Sequence, residues 1–175
     1  SSVRRVRKPR MLSSLSSVPP VCPRPRPDII GTGTPHAATR REQLRLADDL
    51  AARLGLTMVH DAGVQWADAA MYREVADADA LKTRLYVMLR PPRAGQTLPP
   101  PLVGHAGHLL TVRAVKLVAD GALGSRGAAL HDPYSDEPGT RGLLVTSPEQ
   151  LYAQALATVK AGYQPCIHAI GDRAN

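Results

Sequence analysis

The residues best suited to chemistry stand within or just after short apolar runs. Lys116 interrupts the run Val112 to Val118, and Asp120 follows it. His168 lies in the middle of "QPCIHAIGD", which Asp172 ends, and His60 and Asp61 follow the apolar run in "LTMVHDAG", just before Gly63. On a strand, side chains alternate between faces. Val115 and Leu117 then share one face, and Ala114, Lys116 and Val118 share the other. The bulky apolar pair suits a covering helix, which turns Lys116 to the opposite side, the interior of a barrel. By the same logic Ile167 faces a helix, and Cys166 and His168 point inward. Two inward polar groups from successive strands could meet at one site. Each also has a plainer explanation: a strand lysine can snorkel its amine to the strand end, and a buried histidine can simply be hydrogen-bonded. A free ammonium has no lone pair to offer a metal, so this pair alone does not announce one.

The elements that must position these residues alternate in type. "TRRE" (Thr39 to Glu42) reads as a capping box, with Leu46, Leu50 and Leu54 at helical spacing and Gly55 as the stop. "LTMVHDAG" reads as a buried strand. Trp66 to Ala78 has helical character, with Met71, Val75 and Ala78 on one stripe. "TRLYVMLR" (Thr83 to Arg90) is strand-like, and Pro91 to Pro101 breaks any continuation. The strand around Lys116 comes next, then a long loop containing Gly and Pro. Ser147, Pro148 and Gln150 start a further helix; Leu151, Ala155 and Val159 line its buried face and Gly162 ends it. A last strand carries His168. Short apolar strands separated by helices are the βα alternation of a parallel sheet, and such sheets bind ligands at the carboxyl ends of their strands.

Charge and composition exclude several functions. The net charge of +7 over 175 residues is concentrated at one end. Residues 1 to 41 hold nine basic residues against Asp28, and the remainder balances 13 basic against 14 acidic residues. The folded part is thus near neutral and gives no electrostatic reason to expect nucleic acid. A single Trp and five Tyr supply no stacking ladder. No apolar run suits a membrane span, and a cytoplasmic location is expected. Cys22 and Cys166 form neither a disulfide framework nor a zinc knuckle. Residues 1–38, rich in Arg, Pro and Ser, read as a disordered tail, a transit segment or a frameshifted translation. "GTGTPH" at Gly31 lacks the preceding strand and the spacing of a dinucleotide loop.

The stretches "VKLVADGALGSRGAAL", "HDPYSDEPGTRGLL" and "IHAIGDRAN" together resemble amidohydrolase family 3, the YtcJ-like branch of the metal-dependent amidohydrolases. "LGLTMVHDAG" is similar to that family's second barrel strand, and the likeness runs from about Leu44 to Asn175. The resemblance implies an α/β fold, part of a (β/α)8 barrel, in residues 39–175. It implies one or two divalent ions, usually zinc, and hydrolysis of amide-type C–N bonds in small molecules. Lys116 matches the lysine that the family commonly carboxylates, and a carbamate, unlike an amine, has oxygens that can bridge two cations. His168 matches the metal-binding histidine after the fifth strand. A bound metal would bring water close to neutral pKa and polarise a carbonyl.

Arg126 is a candidate for gripping a substrate oxygen in a bidentate way, or for organising the loop with Asp120 or Asp132. Gly121, Gly124 and Gly127 allow sharp turns close to a ligand. Asp120 and His60 are expected beside the site; for His60 and Asp61, structural hydrogen bonding is the better reading. Ala122 and Gly127 depart from the family's more usual Ser and Thr. His131 is expected to face solvent. His105 and His108 have ligand-like spacing but match no ligand motif.

The H-x-H pair of strand one, the histidine of strand six and the aspartate of strand eight, the expected general base, are absent. Only strands two to five can be assigned, so the chain is expected to be a fragment, inactive by itself. The alternative is a non-catalytic pseudoenzyme or interaction fragment.

Overall fold

The computed structural model describes residues 37–93 and 95–175. The readings made for the N-terminal tail, Cys22 and "GTGTPH" fall outside these residues. The elements are α1 (Ala37–Arg53), β1 (Met58–Val64), α2 (Trp66–Asp77), β2 (Arg84–Leu89), β3 (Leu102–Gly104), α3 (His105–His108), β4 (Leu110–Val118), a 3-10 turn (Leu123–Ser125), α4 (Pro148–Lys160) and β5 (Gln164–His168).

Strands β1, β2, β4 and β5 pair in that order, and every pairing is parallel. β2 occupies one edge of β4. The other edge is shared: β3 meets it antiparallel at Val112, and β5 takes over from Ala114 to Val118. The stretch between Pro91 and β4, which shows no clear pattern in the sequence, thus contributes the short strand β3. It also contributes α3, a single irregular turn in which Ala106 and Gly107 take left-handed φ.

Strands β1, β2 and β4 put their bulk on one side; β5 adds no buried side chain, and its Ile167, expected to face a helix, is exposed. Leu85, Val87, Leu89, Leu110, Val112, Val115 and Leu117 form the core with Ala76 of α2, Leu81 and Tyr163. Leu151 and Ala155 of α4 pack against it. Burying each Val or Leu stabilises by roughly 1.5–3 kcal/mol, so strand alternation is strongly specified here: a one-residue slip would exchange Leu117 for Lys116. β4 corrects its own alternation at a bulge. The register shifts between Val87 and Met88 of β2, leaving Arg113 exposed while Ala114 and Val115 are both buried. Val115, Leu117 and their neighbours can then stay on the core side.

The helix ends follow local chemistry. Ser147 Oγ accepts from Gln150 N at 3.3 Å, with Pro148 in the first turn. Gly55 (φ 76°) and Gly162 (φ 81°) terminate α1 and α4 in left-handed conformations, which glycine adopts without a Cβ clash. Three expectations need correction. Helix α1 begins at Ala37, so Thr39 lies inside it and not at its cap. Its leucine stripe, Leu46, Leu50 and Leu54, is exposed. What moors α1 is buried Asp48, which accepts from Lys82 N (2.7 Å), Thr83 N (3.0 Å) and Thr83 Oγ1 (2.5 Å) at the foot of β2. On α2, which ends at Asp77, Ala76 is buried and Ala78 is left exposed at the C-cap; on α4, Thr158 takes the buried place expected for Val159, because the stripe drifts around the helix relative to a fixed spacing of four.

Candidate functional site

The face of the sheet away from the core carries the polar side chains. In register, Lys116 lies opposite Cys166 and Val118 opposite His168. Parallel partners share a face, so Lys116, Cys166 and His168 point the same way, as strand alternation implies. Lys116 sits one inward position below His168 on the neighbouring strand, about 8 Å away between Cα atoms from standard strand spacing. Both are partly exposed.

Below them runs a belt that sequence reasoning missed. His60 of β1 stacks on Tyr86 of β2, its register partner, with ring centroids 5.0 Å apart. The Tyr86 hydroxyl donates to Gln164 Oε1 at 2.9 Å. Gln164 is paired with Ala114, which is fully buried, so the Tyr86–Gln164 bridge passes over a small residue. Burial, with Cys166 nearby, pushes the Tyr86 hydroxyl up from its ordinary value. The signal was available: the alternation that turns Cys166 inward also turns Gln164 inward. His60 therefore shares the face of Lys116 but belongs to the belt, two strands away. Asp61 points to the opposite side, where it accepts from Tyr72 of α2 at 2.7 Å.

Above Lys116, the loops beyond β4 and β5 are knitted together. Asp120 has no exposed surface. Its Oδ2 accepts from Ala129 N (2.8 Å) and Gly171 N (2.8 Å), and its Oδ1 from Ile170 N (3.0 Å). Burial would raise its pKa, but these three donors and nearby His168 outweigh it and hold the carboxyl below its ordinary range. The same Oδ1 lies 4.0 Å from His168 Nε2. Ala119 N donates to the His168 carbonyl at 2.8 Å.

The glycines of this region serve backbone packing. A Cβ on Gly121 would meet Gly127 backbone at 3.0 Å, whereas one on Gly124 would meet nothing. The tightest approaches are at two positions the sequence did not single out. A Cβ on Gly142 would fall 1.9 Å from Ala128 O, and one on Gly171 1.8 Å from Ala129 O.

The remaining candidates are spread around these loops. Arg126 pairs with Asp136 at 3.1 Å, and not with Asp120 or Asp132. Its guanidinium is exposed and only one nitrogen is engaged. His131 is exposed, as expected, and its backbone N–H donates to Asp172 at 2.9 Å. His105 pairs with Asp77 of α2 at the opposite end of β4 from the Asp120 loops, so the "GHAGH" histidines are not part of this site. A cavity of about 430 Å³ lies between α1, α2 and the core side of β1 and β2, lined by Leu44, Asp48, Asp61, Asp68 and Tyr72 among others. Neither Lys116 nor His168 lines it.

His168 is a ready nitrogen donor, and Lys116 becomes an oxygen donor only when carboxylated. No group of three or more His, Cys, Asp or Glu is gathered for an ion among the described residues, whereas a tetrahedral zinc takes four ligands.

Parallel strands, helices on one side and polar groups at the strands' carboxyl ends define an α/β protein built on a parallel sheet. Its structure superposes on part of two proteins described as uncharacterized metal-dependent hydrolases. One, from Pyrococcus horikoshii OT3, matches with TM-score 0.68 at 26% identity, over 80% of this chain and 29% of that one. The other, from Pyrococcus furiosus, matches with TM-score 0.69 at 25% identity, over 84% and 31%. The chain belongs to the amidohydrolase family, whose sequence profile matches residues 30–175. Among curated relatives it is 46% identical over 66 residues to the protein LONG AFTER FAR-RED 3 of Arabidopsis thaliana, covering 38% of this chain and 11% of that protein. It is 41% identical over 69 residues to YtcJ of Bacillus subtilis (strain 168), covering 39% and 13%. The matched segment is thus about an eighth of each curated relative. No helix among the described residues is long and apolar enough to cross a membrane.

Proposed function

We propose that these residues are the second to fifth strands of a metal-dependent amidohydrolase that cleaves an amide-type C–N bond in a small molecule. The observation that carries this reading is the shared open face of Lys116 and His168 at adjacent parallel strands. Among the donor types present, lysine carries the reading only as a carbamate. In that form it is an anionic, two-oxygen ligand beside a histidine nitrogen, and the pair suits one or two zinc ions. The chemistry a bound divalent ion supplies is activation of water for attack on the amide carbonyl. The residues of this chain hold and shape that site. His168 presents its ring on the open face, the His60–Tyr86–Gln164 belt floors it, and exposed Arg126, free to leave Asp136, is the residue proposed to grip a substrate oxygen or carboxylate. The base that moves the proton and the further ligands come from strands outside this segment. The isolated 175-residue chain is accordingly inactive, and it needs no nucleic acid or membrane partner.

The test uses the longer protein carrying this segment. Lys116→Ala lowers zinc content and rate together, and a short carboxylic acid added with bicarbonate restores part of both. A 13C-bicarbonate label should appear as a carbamate carbonyl signal in the wild type and vanish in the variant. Unchanged zinc content in Lys116→Ala removes the carbamate reading. Zinc-dependent hydrolysis by the 175-residue chain alone contradicts its inactivity.

A further inference from the structure

We infer that Asp120 is a positioning residue: its buried carboxylate locks the loops after β4 and β5 into one unit and fixes the imidazole of His168 on the open face. The inference rests on the reading of His168 as a site residue, but the positioning itself needs no metal to be measured.

A carboxylate without exposed surface is costly unless its oxygens are matched by donors. Asp120 is matched by three backbone N–H groups, and these come from two separate stretches of chain. Ala129 is nine residues on in the β4 loop, whereas Ile170 and Gly171 lie 50 and 51 residues on, beyond β5. One side chain thus ties the two loops together beside their direct backbone hydrogen bonds. The backbones are already pressed together where Gly171 meets Ala129 O, and Arg173 N donates to the same oxygen at 3.1 Å. His168 is caught from both ends. Its carbonyl accepts from Ala119, the residue before Asp120. Its ring nitrogen Nε2 faces Asp120 Oδ1 at 4.0 Å, too far for a hydrogen bond but near enough for the carboxylate to orient the ring dipole. Asp120 lies four residues beyond Lys116 and two beyond the last residue of β4, Val118, so the residue that sets the ring follows directly on the strand that carries the lysine. No substrate is needed to explain it: both oxygens are spoken for inside the protein.

The experiment is NMR on the full 175-residue chain without metal, with 15N amide exchange and 13C relaxation of the His168 ring. In the wild type, the amides of Ala129, Ile170 and Gly171 should exchange through one common opening, and the ring should be as ordered as the backbone. Asp120→Asn keeps the shape and replaces an acceptor oxygen by a donor. It should speed exchange at those three amides by about tenfold or more, the effect of losing one such hydrogen bond. Val115 and Leu117 should stay protected and the His168 ring should become mobile. His168→Gln should leave the three amides protected. Unchanged exchange in Asp120→Asn overturns the lock. Faster exchange with an unchanged ring overturns the positioning of His168. Should the Asn variant not fold, the wild type still decides: three unrelated exchange rates, or a mobile ring, sink the proposal. A zinc titration of wild type against His168→Gln is read separately. Equal binding there removes the metal reading of His168 and leaves the positioning result standing.

Discussion

On the helix-covered face of the sheet, Val87, Leu110 and Val115 have no exposed surface and Leu117 almost none. On the other face, one residue away along the same strands, His60, Arg84 and Gln164 are exposed and Tyr86, Lys116, Cys166 and His168 partly so. Both faces are built by the same backbone ladder, yet they obey different constraints. The covered face is close-packed apolar surface, where volume and register decide stability. The open face carries side chains that would be expensive to bury and that pair with one another across strands. Stability and chemistry are thus separated by the two-residue period of a strand, and a substitution should declare which face it occupies by what it changes.

The largest effect belongs to the covered face. Leu117→Ala removes a side chain that is 1% exposed and leaves a cavity among Val115, Leu89 and their helix neighbours. We expect a loss of about 2–5 kcal/mol in urea unfolding. A loss under about 1 kcal/mol would mean that this side of the sheet is not the core, and the contrast between faces would collapse.

Next comes the seam where the strand-end loops meet. Gly171→Ala puts a Cβ 1.8 Å from Ala129 O, so backbone must move on one side or the other. A loss of about 1–3 kcal/mol is expected, with amide-exchange changes concentrated at residues 119–130 and 168–175. If the changes spread instead to β1 and β2, the loops are not a separate unit and the two faces are coupled.

The covered side also has a half-buried polar tie between Tyr72 and Asp61, and pH can address it. Burial first, and then the hydrogen bond to Asp61, raise the Tyr72 hydroxyl above its ordinary value. The folded pKa therefore exceeds the unfolded one near 10. The stabilisation is fully present below that unfolded value and is lost as pH rises through the folded pKa. Tyr72→Phe should cost about 1 kcal/mol at neutral pH and flatten the alkaline end of the stability curve. An alkaline slope that survives in Tyr72→Phe assigns the effect to another group.

How much of this was legible beforehand divides along the same line. Alternation over β4 and β5 was enough to set Lys116 and His168 on one face, because period two is fixed by the backbone and Val115 and Leu117 leave no other choice. It also carried enough information for Gln164, had the count been extended by two residues. The Asp120 hub was not readable: its three partners are backbone N–H groups, which leave no mark in side-chain chemistry, and two of them lie 50 and 51 residues away. Gly142 and Gly171 were invisible for the same reason, since a glycine demanded by a distant carbonyl resembles any loop glycine. The leucine stripe of α1 misled in the other direction. Spacing shows that residues share a side of a helix, but not that anything covers that side, and here the burial goes to Asp48 and Ala51.

The smallest expected effect falls on the residue with the most chemical interest. A lysine in the middle of Val112 to Val118 reads as a liability for the fold, since an ammonium fully buried without a partner would be forced toward neutrality at considerable cost. On the open face it is only partly covered, so most of that cost is never incurred. Lys116→Ala in the 175-residue chain should therefore change unfolding free energy by no more than about 0.5 kcal/mol, as for other substitutions away from packed groups. Leu117→Ala, one position on, should cost several times more. A gain of more than about 1 kcal/mol on removing Lys116 would show that its amine is strained and desolvated. The open face would then already be partly closed in this chain, and the lysine would be a buried group waiting for a partner.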